Sequence, residues 1–311
     1  MNEADFDFLT GPAGREALAW LAAEDLSEAR TLALLATLRS TLSPEQAGAA
    51  LTLARLRWRA ASKFSRAGEM FFTPEGLEQA SGEHIAAWRA RRFAAAGYAR
   101  VADLGCGIGG DTLALAALPG AFVLGVDRDR LRLRLARANL HVYGRDAAWL
   151  AADLTRALPL RGTPAAFFDP ARREDGRRMF SVHSYQPPLD TITAWRFDGL
   201  AVKLSPGVAL DEVRPYTDAG AGLEFISAQG ELKEAVLWAG AFGFAGQCAS
   251  RIDADGHGET LMPAGLPAPL LSAPRAYLYE PDPAVIRAGL LGELAAHLGI
   301  ALYRLDETIA Y

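Results

Sequence analysis

Four carboxylates carry the chemistry of this chain, each at the end of an apolar run. Asp103 closes "VAD" and leads into Leu-Gly-Cys-Gly-Ile-Gly-Gly; Asp127 closes "VLGVD", Asp153 closes "LAAD", and Asp169 sits in "FFDPAR". Gly105, Gly107, Gly109 and Gly110 make the first stretch a bend that can approach a ligand with its backbone. A phosphate loop would end in Gly-Lys-Ser/Thr, and none is present. Gly105, Gly107 and Gly110 match the letters of a dinucleotide fingerprint, a weak signal alone. Asp103 argues against it, because a carboxylate beside the glycines repels a pyrophosphate and attracts an ammonium group.

The guest that fits is cationic in one half and lacks phosphate. S-adenosylmethionine has an α-ammonium, a sulfonium and no phosphoryl oxygens. Asp127 follows the glycines by about 20 residues, where an acidic side chain accepts both ribose hydroxyls. Asp153 is then able to accept from the adenine amino group. Three carboxylates at three consecutive strand ends line the sheet edge where open α/β sheets bind ligands; the bland alternative makes Asp127 and Asp153 ordinary helix caps.

The elements that must position these groups follow from hydrophobic spacing. From Tyr98, short apolar runs alternate with helices: strands at "ARVADLG", "AFVLGVD", "DAAWLAAD", "PAAFFDP" and "LAVKLSP", with helices over Asp111–Leu118 and Asp129–His141. That alternation implies right-handed crossovers and a parallel sheet. "GLEFISA" and "LKEAVLWAG" are separated by Gln229, Gly230 and Glu231, enough for a hairpin but not for a crossover helix, so the sheet is expected to end in an antiparallel strand. Residues 1–95 read as an all-helical N-terminal domain, with Ser43-Pro44-Glu45 as a helix start and at least one helix packing on the next domain. Residues 96–245 are expected to form the α/β domain, and 246–311 a small α+β domain. In that last part a hairpin and linker precede one helix from Pro283 to Gly299, and the strand "IALYRLDETIAY" stops without a closing element, as in a truncated domain.

Composition bounds the partners. The 311 residues are 50% hydrophobic and 22% charged, with a net charge of −5, so no global basic field attracts nucleic acid. Two cysteines and five scattered histidines offer neither a disulfide framework nor metal-ligand spacing, so no metal is expected. The N-terminus lacks a secretory apolar core and no run approaches about 18 apolar residues, so a cytoplasmic protein with no membrane span is expected. Oligomeric state is not legible. Arg128, Arg130, Arg132, Arg134 and Arg137 spread around their helix and read as solvated rather than as an RNA-binding stripe.

"VADLGCGIGGD", "VLGVDRD", "AAD" and "FFDPAR", with the late hairpin, resemble a class I S-adenosylmethionine-dependent methyltransferase. "ARANLHVYG" resembles the corresponding helix of trimethylguanosine-synthase-like RNA methyltransferases. "KFSRAGEMFFTPEGLEQAS", "VKLSPGV" and "EFISAQGELKEAVLW" are similar to a bacterial family with a helical lead-in and a C-terminal THUMP-like segment. The resemblance implies a doubly wound Rossmann-like sheet of order 3-2-1-4-5-7-6. It implies cofactor contacts from Phe72, Thr73, Asp103, Gly105, Cys106 (by its backbone, the thiol inert), Gly107, Gly109, Asp111, Asp127, Arg128, Asp153 and Leu154.

For the acceptor, similar amino-methyltransferases place Asp or Asn, Pro and then Pro-aromatic at the fourth strand end. Asp169 and Pro170 match as catalytic residues that accept hydrogen bonds from an exocyclic amine. Ala171 and Arg172 depart, removing the ring that holds a flipped base, so a ring from Phe71, Phe72, Tyr185 or Trp195 is needed. Phe168, Arg172, Arg173 and Lys203 are the expected substrate contacts, with a solvated loop and a structural ion pair as alternatives for the basic residues. An RNA base amine is the expected acceptor. A small-molecule or protein methyltransferase, and a catalytically silent cofactor-binding module, are the competing readings.

Overall fold

Local signals place the helices where the sequence puts them. α1 (Glu3–Thr10) and α2 (Pro12–Leu21) are followed by α3 (Thr31–Leu38) and α4 (Pro44–Ala60). The start at Ser43 carries a full capping box: Ser43 Oγ accepts from Gln46 N at 3.3 Å, and Gln46 Oε1 accepts from Ser43 N at 3.1 Å. With Pro44 in the first turn, the orphan N–H groups of α4 are met locally. Its inward face buries Ala47, Ala50, Leu51, Leu53, Ala54 and Leu56. The computed structural model describes residues 1–156, 160, 162–171, 173–174, 177–178, 181–273 and 276–304.

The chain divides into two compact units, Met1–Ala86 with Cys106–Asp153, and Ala87–Gly105 with Leu154–Tyr311. The first holds α1 to α4, α5 (Pro74–Gln79), α7 (Gly110–Leu115), β2 (Phe122–Asp127), α8 (Arg130–Val142) and β3 (Ala148–Ala151). Its helices do not close off at residue 95 as expected. Phe6, Leu9, Leu21, Leu53, Phe64 and Phe72 share one hydrophobic core with Ile108 and Leu135, so the N-terminal helices are completed by the segment after the glycine bend. Short helices with one apolar stripe each need such a surface to cover it.

The second unit holds most of α6 (Glu83–Ala95), then β1 (Arg100–Leu104), β4 (Ala165–Phe168), β5 (Gly199–Leu204), α9 (Leu210–Asp218), β6 (Gly222–Ala228) and β7 (Glu231–Gly240). β8 (Gly246–Ile252), β9 (Gly258–Leu261), α10 (Pro283–Ala288) and α11 (Leu291–Leu298) complete it. β1 pairs in parallel with β4 and β4 with β5, and every residue of β4 and β5 is buried. β7 runs antiparallel to both β5 and β6.

The hydrogen-bonded strand order is β9-β8-β6-β7-β5-β4-β1-β2-β3. It contains 3-2-1-4-5-7-6, as expected, and adds two strands. β8 pairs in parallel with β6 from Gly246↔Gly222 to Ile252↔Ala228, so the sheet crosses the expected boundary at 245/246. β9 then closes the edge antiparallel to β8. The expected single helix after Pro283 is two helices, because Gly289 takes φ +72° and caps α10. Of the expected final strand, Arg304 makes one parallel bridge to Leu271, and 305–311 lie outside the described residues.

Candidate active site

The bend is built by backbone conformation. Gly105, Gly107 and Gly109 have φ of +78°, +55° and +88°, the left-handed region that glycine enters without a Cβ penalty. In the first unit, Cys106 N donates to Val126 O at 3.0 Å and Gly109 N to Cys106 O at 2.8 Å, which ties the bend to β2 and starts α7. Asp127 is 5% exposed. Its Oδ2 accepts from Gly107 N at 3.0 Å and its Oδ1 from Asp129 N at 2.9 Å. A carboxylate oxygen accepts more than one hydrogen bond, so Asp127 keeps acceptor capacity for hydroxyl groups. A Cβ built at Gly107 meets nothing within 4 Å, which leaves room beside that carboxylate. An acceptor-only side chain against an open glycine backbone fits a ribose diol and a cofactor without phosphate.

The other expected cofactor residues fall into several environments. Asp111 lies in the first turn of α7, partly exposed, and Arg128 is exposed after β2. Asp153 is exposed two residues beyond β3, and Leu154 is buried. Asp103 is 1% exposed near the end of β1, and Cys106 is buried. Thr73 caps α5, its hydroxyl accepting from Gly76 N at 2.9 Å. Phe72 is fully buried against Phe64, so of the expected pair it serves the core and only Thr73 is partly exposed.

Sequence reasoning missed Asn139. This side chain of α8 is 1% exposed and binds two segments at once. Its Oδ1 accepts from Phe71 N at 2.7 Å, while Nδ2 donates to Phe71 O and Ile108 O, each at 3.0 Å. It thus joins the bend to the strip that leads into Thr73. The available signal was an amide among the apolar positions Leu135, Ala136 and Leu140 of an amphipathic helix.

In the second unit, Asp169 follows β4 and its N–H donates to Leu104 O at 3.1 Å. A Cβ at Gly105 would lie 2.8 Å from Asp169 O, so this close approach requires glycine. Lys203 Nζ, on β5, donates to Asp169 Oδ2 at 2.7 Å, with side chains 6% and 19% exposed. For Lys203 both a substrate contact and an ion pair were expected; its ammonium pairs with the Asp169 carboxylate, because neighbouring parallel strands bring the two ends together. Phe168, another expected substrate contact, is fully buried, with Trp195 edge-on at 4.9 Å. Pro170 is buried, and Ala171 pairs through its backbone with Gln186. Tyr185 is 1% exposed, its hydroxyl accepting from Ser205 N at 3.1 Å. Among the candidate rings near Asp169 in this unit, Trp195 is the partly exposed one. The Arg173 backbone pairs with Arg178 in a two-residue ribbon; Arg172 lies outside the described residues. Among the described residues no group of three or more His, Cys, Asp or Glu can hold a metal ion, and no helix is long and apolar enough to cross a membrane.

Comparison with known proteins bears on family and fold. A family described as a methyltransferase domain matches residues 101–169, from β1 to Asp169, and a domain of unknown function matches residues 3–60. Uncharacterized S-adenosylmethionine-dependent methyltransferases from two Mycobacterium tuberculosis strains are each 35% identical over 272 residues, covering 82% of this chain and 71% of theirs. A crystal structure of a putative methyltransferase from Porphyromonas gingivalis W83 superposes with a TM-score of 0.68 at 22% identity, over 98% of this chain and 77% of that one. The last likeness speaks to fold alone.

Proposed function

The chain belongs to the S-adenosylmethionine-dependent methyltransferases, and from that premise we propose that it methylates an amine nitrogen of an RNA base. The observation that carries this reading is the Asp169 carboxylate, fixed by Lys203 at 2.7 Å and followed by Pro170. S-adenosylmethionine supplies an electrophilic methyl group on a sulfonium. The protein's part is to bind, orient and stabilise. Asp127 and the bend would hold the ribose side, with Asp103 offering negative charge toward an ammonium.

Asp169 Oδ1 and the Pro170 carbonyl are acceptors for the two N–H groups of an exocyclic amine. Accepting both turns the nitrogen lone pair away from the protein acceptors and stabilises positive charge as it develops. The excess proton leaves the product nitrogen only after it becomes cationic, so no strong base is needed. Trp195 offers the ring that the sequence lacks at position 172, where Arg172 replaces the aromatic, and a THUMP-like C-terminal segment would agree with an RNA substrate.

One observation favours a small-molecule acceptor instead. Phe168 and Tyr185 are fully buried, so the acceptor side is poor in rings for a flipped base. Incubating the protein with methyl-labelled cofactor, total RNA and a metabolite extract separates the two. Label in RNA, with one methylated nucleoside missing from a strain that lacks the protein, is the expected result. Label confined to a metabolite moves the acceptor to the second reading. Asp169→Ala is expected to abolish transfer while calorimetry shows unchanged cofactor affinity; full transfer by that variant overturns the role given to Asp169.

A further inference from the structure

One face of α8 borders a concavity contained within the first unit. Its cavity of about 620 Å³ is lined by Phe6, Arg134, Arg137, His141, Arg145 and Asp146, among others. Arg134, Arg137 and His141 recur at intervals of three and four, which puts them on one helix face. This differs from the even scatter expected of the arginines on α8: His141 extends the row and Arg145 joins it from the turn after the helix. Four basic side chains at one cleft are a local excess in a chain of net charge −5.

Their commitments differ. Arg134 stacks over the Phe6 ring at 4.8 Å and pairs with Asp7 and Glu3, so its charge is largely spent. Arg145 donates through Nη1 to Leu113 O at 2.8 Å, a contact that orients the guanidinium without neutralising it. Arg137 and His141 are exposed, and their side chains have no hydrogen-bond or ion-pair partner among the described residues. Asp146 is the one carboxylate in the lining.

From Arg134 to His141 the helix rises about 10 Å, longer than a single phosphate group. The donors are guanidinium and imidazole, suited to phosphate oxygens. The aromatic floor is already covered by Arg134, so no ring is left to read or stack a base. We infer that this cleft binds the phosphodiester backbone of a single-stranded RNA segment, without sequence preference, at a site separate from methyl transfer. The inference rests on the RNA reading of the acceptor given above.

Fluorescence anisotropy of a labelled oligouridylate on the full chain, across a salt series, tests it. Each phosphate contact contributes about 0.7 to the slope of log affinity against log salt for a single strand. Arg137→Gln is expected to weaken binding severalfold and to lower that slope by about 0.7, while Arg137→Lys keeps the slope. Cofactor affinity is expected to be the same in all three proteins, which reports an intact fold. Unchanged affinity and slope in Arg137→Gln overturn the cleft. So does displacement of the RNA by inorganic tripolyphosphate at equal phosphate concentration, which would assign the site to a free polyphosphate. Methyl transfer to RNA by the wild type, measured in parallel, keeps the two readings apart. If RNA is methylated but Arg137→Gln binds normally, only the cleft falls. If RNA is neither bound nor methylated, both fall.

Discussion

Lys203 and Asp169 are each ordinary residues; the role proposed for them depends on their contact. The ammonium holds Oδ2 at 2.7 Å, and in the function proposed above Oδ1 is the oxygen that would accept from an incoming N–H group. Losing that hold lets the carboxylate turn, and an error of about 1 Å in a reacting group costs up to about a hundredfold in rate. Lys203→Met is therefore expected to lower kcat about tenfold to a hundredfold, with KM for the cofactor unchanged and part of the loss restored in Lys203→Arg. Steady-state kinetics on the accepted substrate checks this. A lysine that served stability alone would lower the melting temperature and leave the ratio of kcat to KM for the cofactor intact.

At the scale of elements, the cofactor side depends on how α8 grips two other segments. Asn139 makes three hydrogen bonds from a fully buried amide, to Phe71 and to Ile108. Asn139→Ala leaves a buried N–H and two buried carbonyls without that partner, at about 1–3 kcal/mol for each group that stays unsatisfied. The expected outcome is a loss of about 3 kcal/mol in urea denaturation and weaker cofactor binding, since the bend and the strip before Thr73 lose their common anchor. An unchanged cofactor affinity at reduced stability would restrict Asn139 to folding. The bend itself was legible from its glycines and from Asp127. Asn139 was not, because an isolated amide in a helix carries no spacing signal; only the approach of residues 71 and 108 gives it partners.

The molecule as a whole is organised by one sheet of nine strands, and its second unit is pinned by a buried carboxylate. Glu224, on β6, is fully buried and accepts from Trp88 Nε1 at 3.0 Å, from Trp238 Nε1 at 2.8 Å, from two nitrogens of Arg92 at 2.9 Å, and from Ser250 Oγ. These donors come from α6, β7 and β8, so one side chain joins a helix to three strands. Nearby, burial and the Glu224 charge push the Cys248 thiol well above its ordinary range, which keeps it inert. Arg89 of α6 adds a buried pair with Glu234 of β7. Glu224→Gln keeps the shape but removes the charge opposite Arg92 and turns one acceptor into a donor facing other donors. Breaking a buried pair from one side costs about 3–5 kcal/mol, so a drop of that size in urea denaturation is expected. A change below about 1 kcal/mol would contradict this account.

By itself the sequence determined the alternation of strands and helices and the cofactor class, because these depend on period, on turn chemistry and on the sign of charge at strand ends. All of those are local properties, readable along the chain. Tertiary structure alone decided that Lys203 pairs with Asp169, and that Phe72 and Phe168 are buried in the core. It also decided that 246–261 extends the sheet and that α8 turns Arg137 and His141 into a basic cleft. Each of those outcomes depends on which distant segments lie side by side, and hydrophobic spacing within one segment does not encode its neighbour.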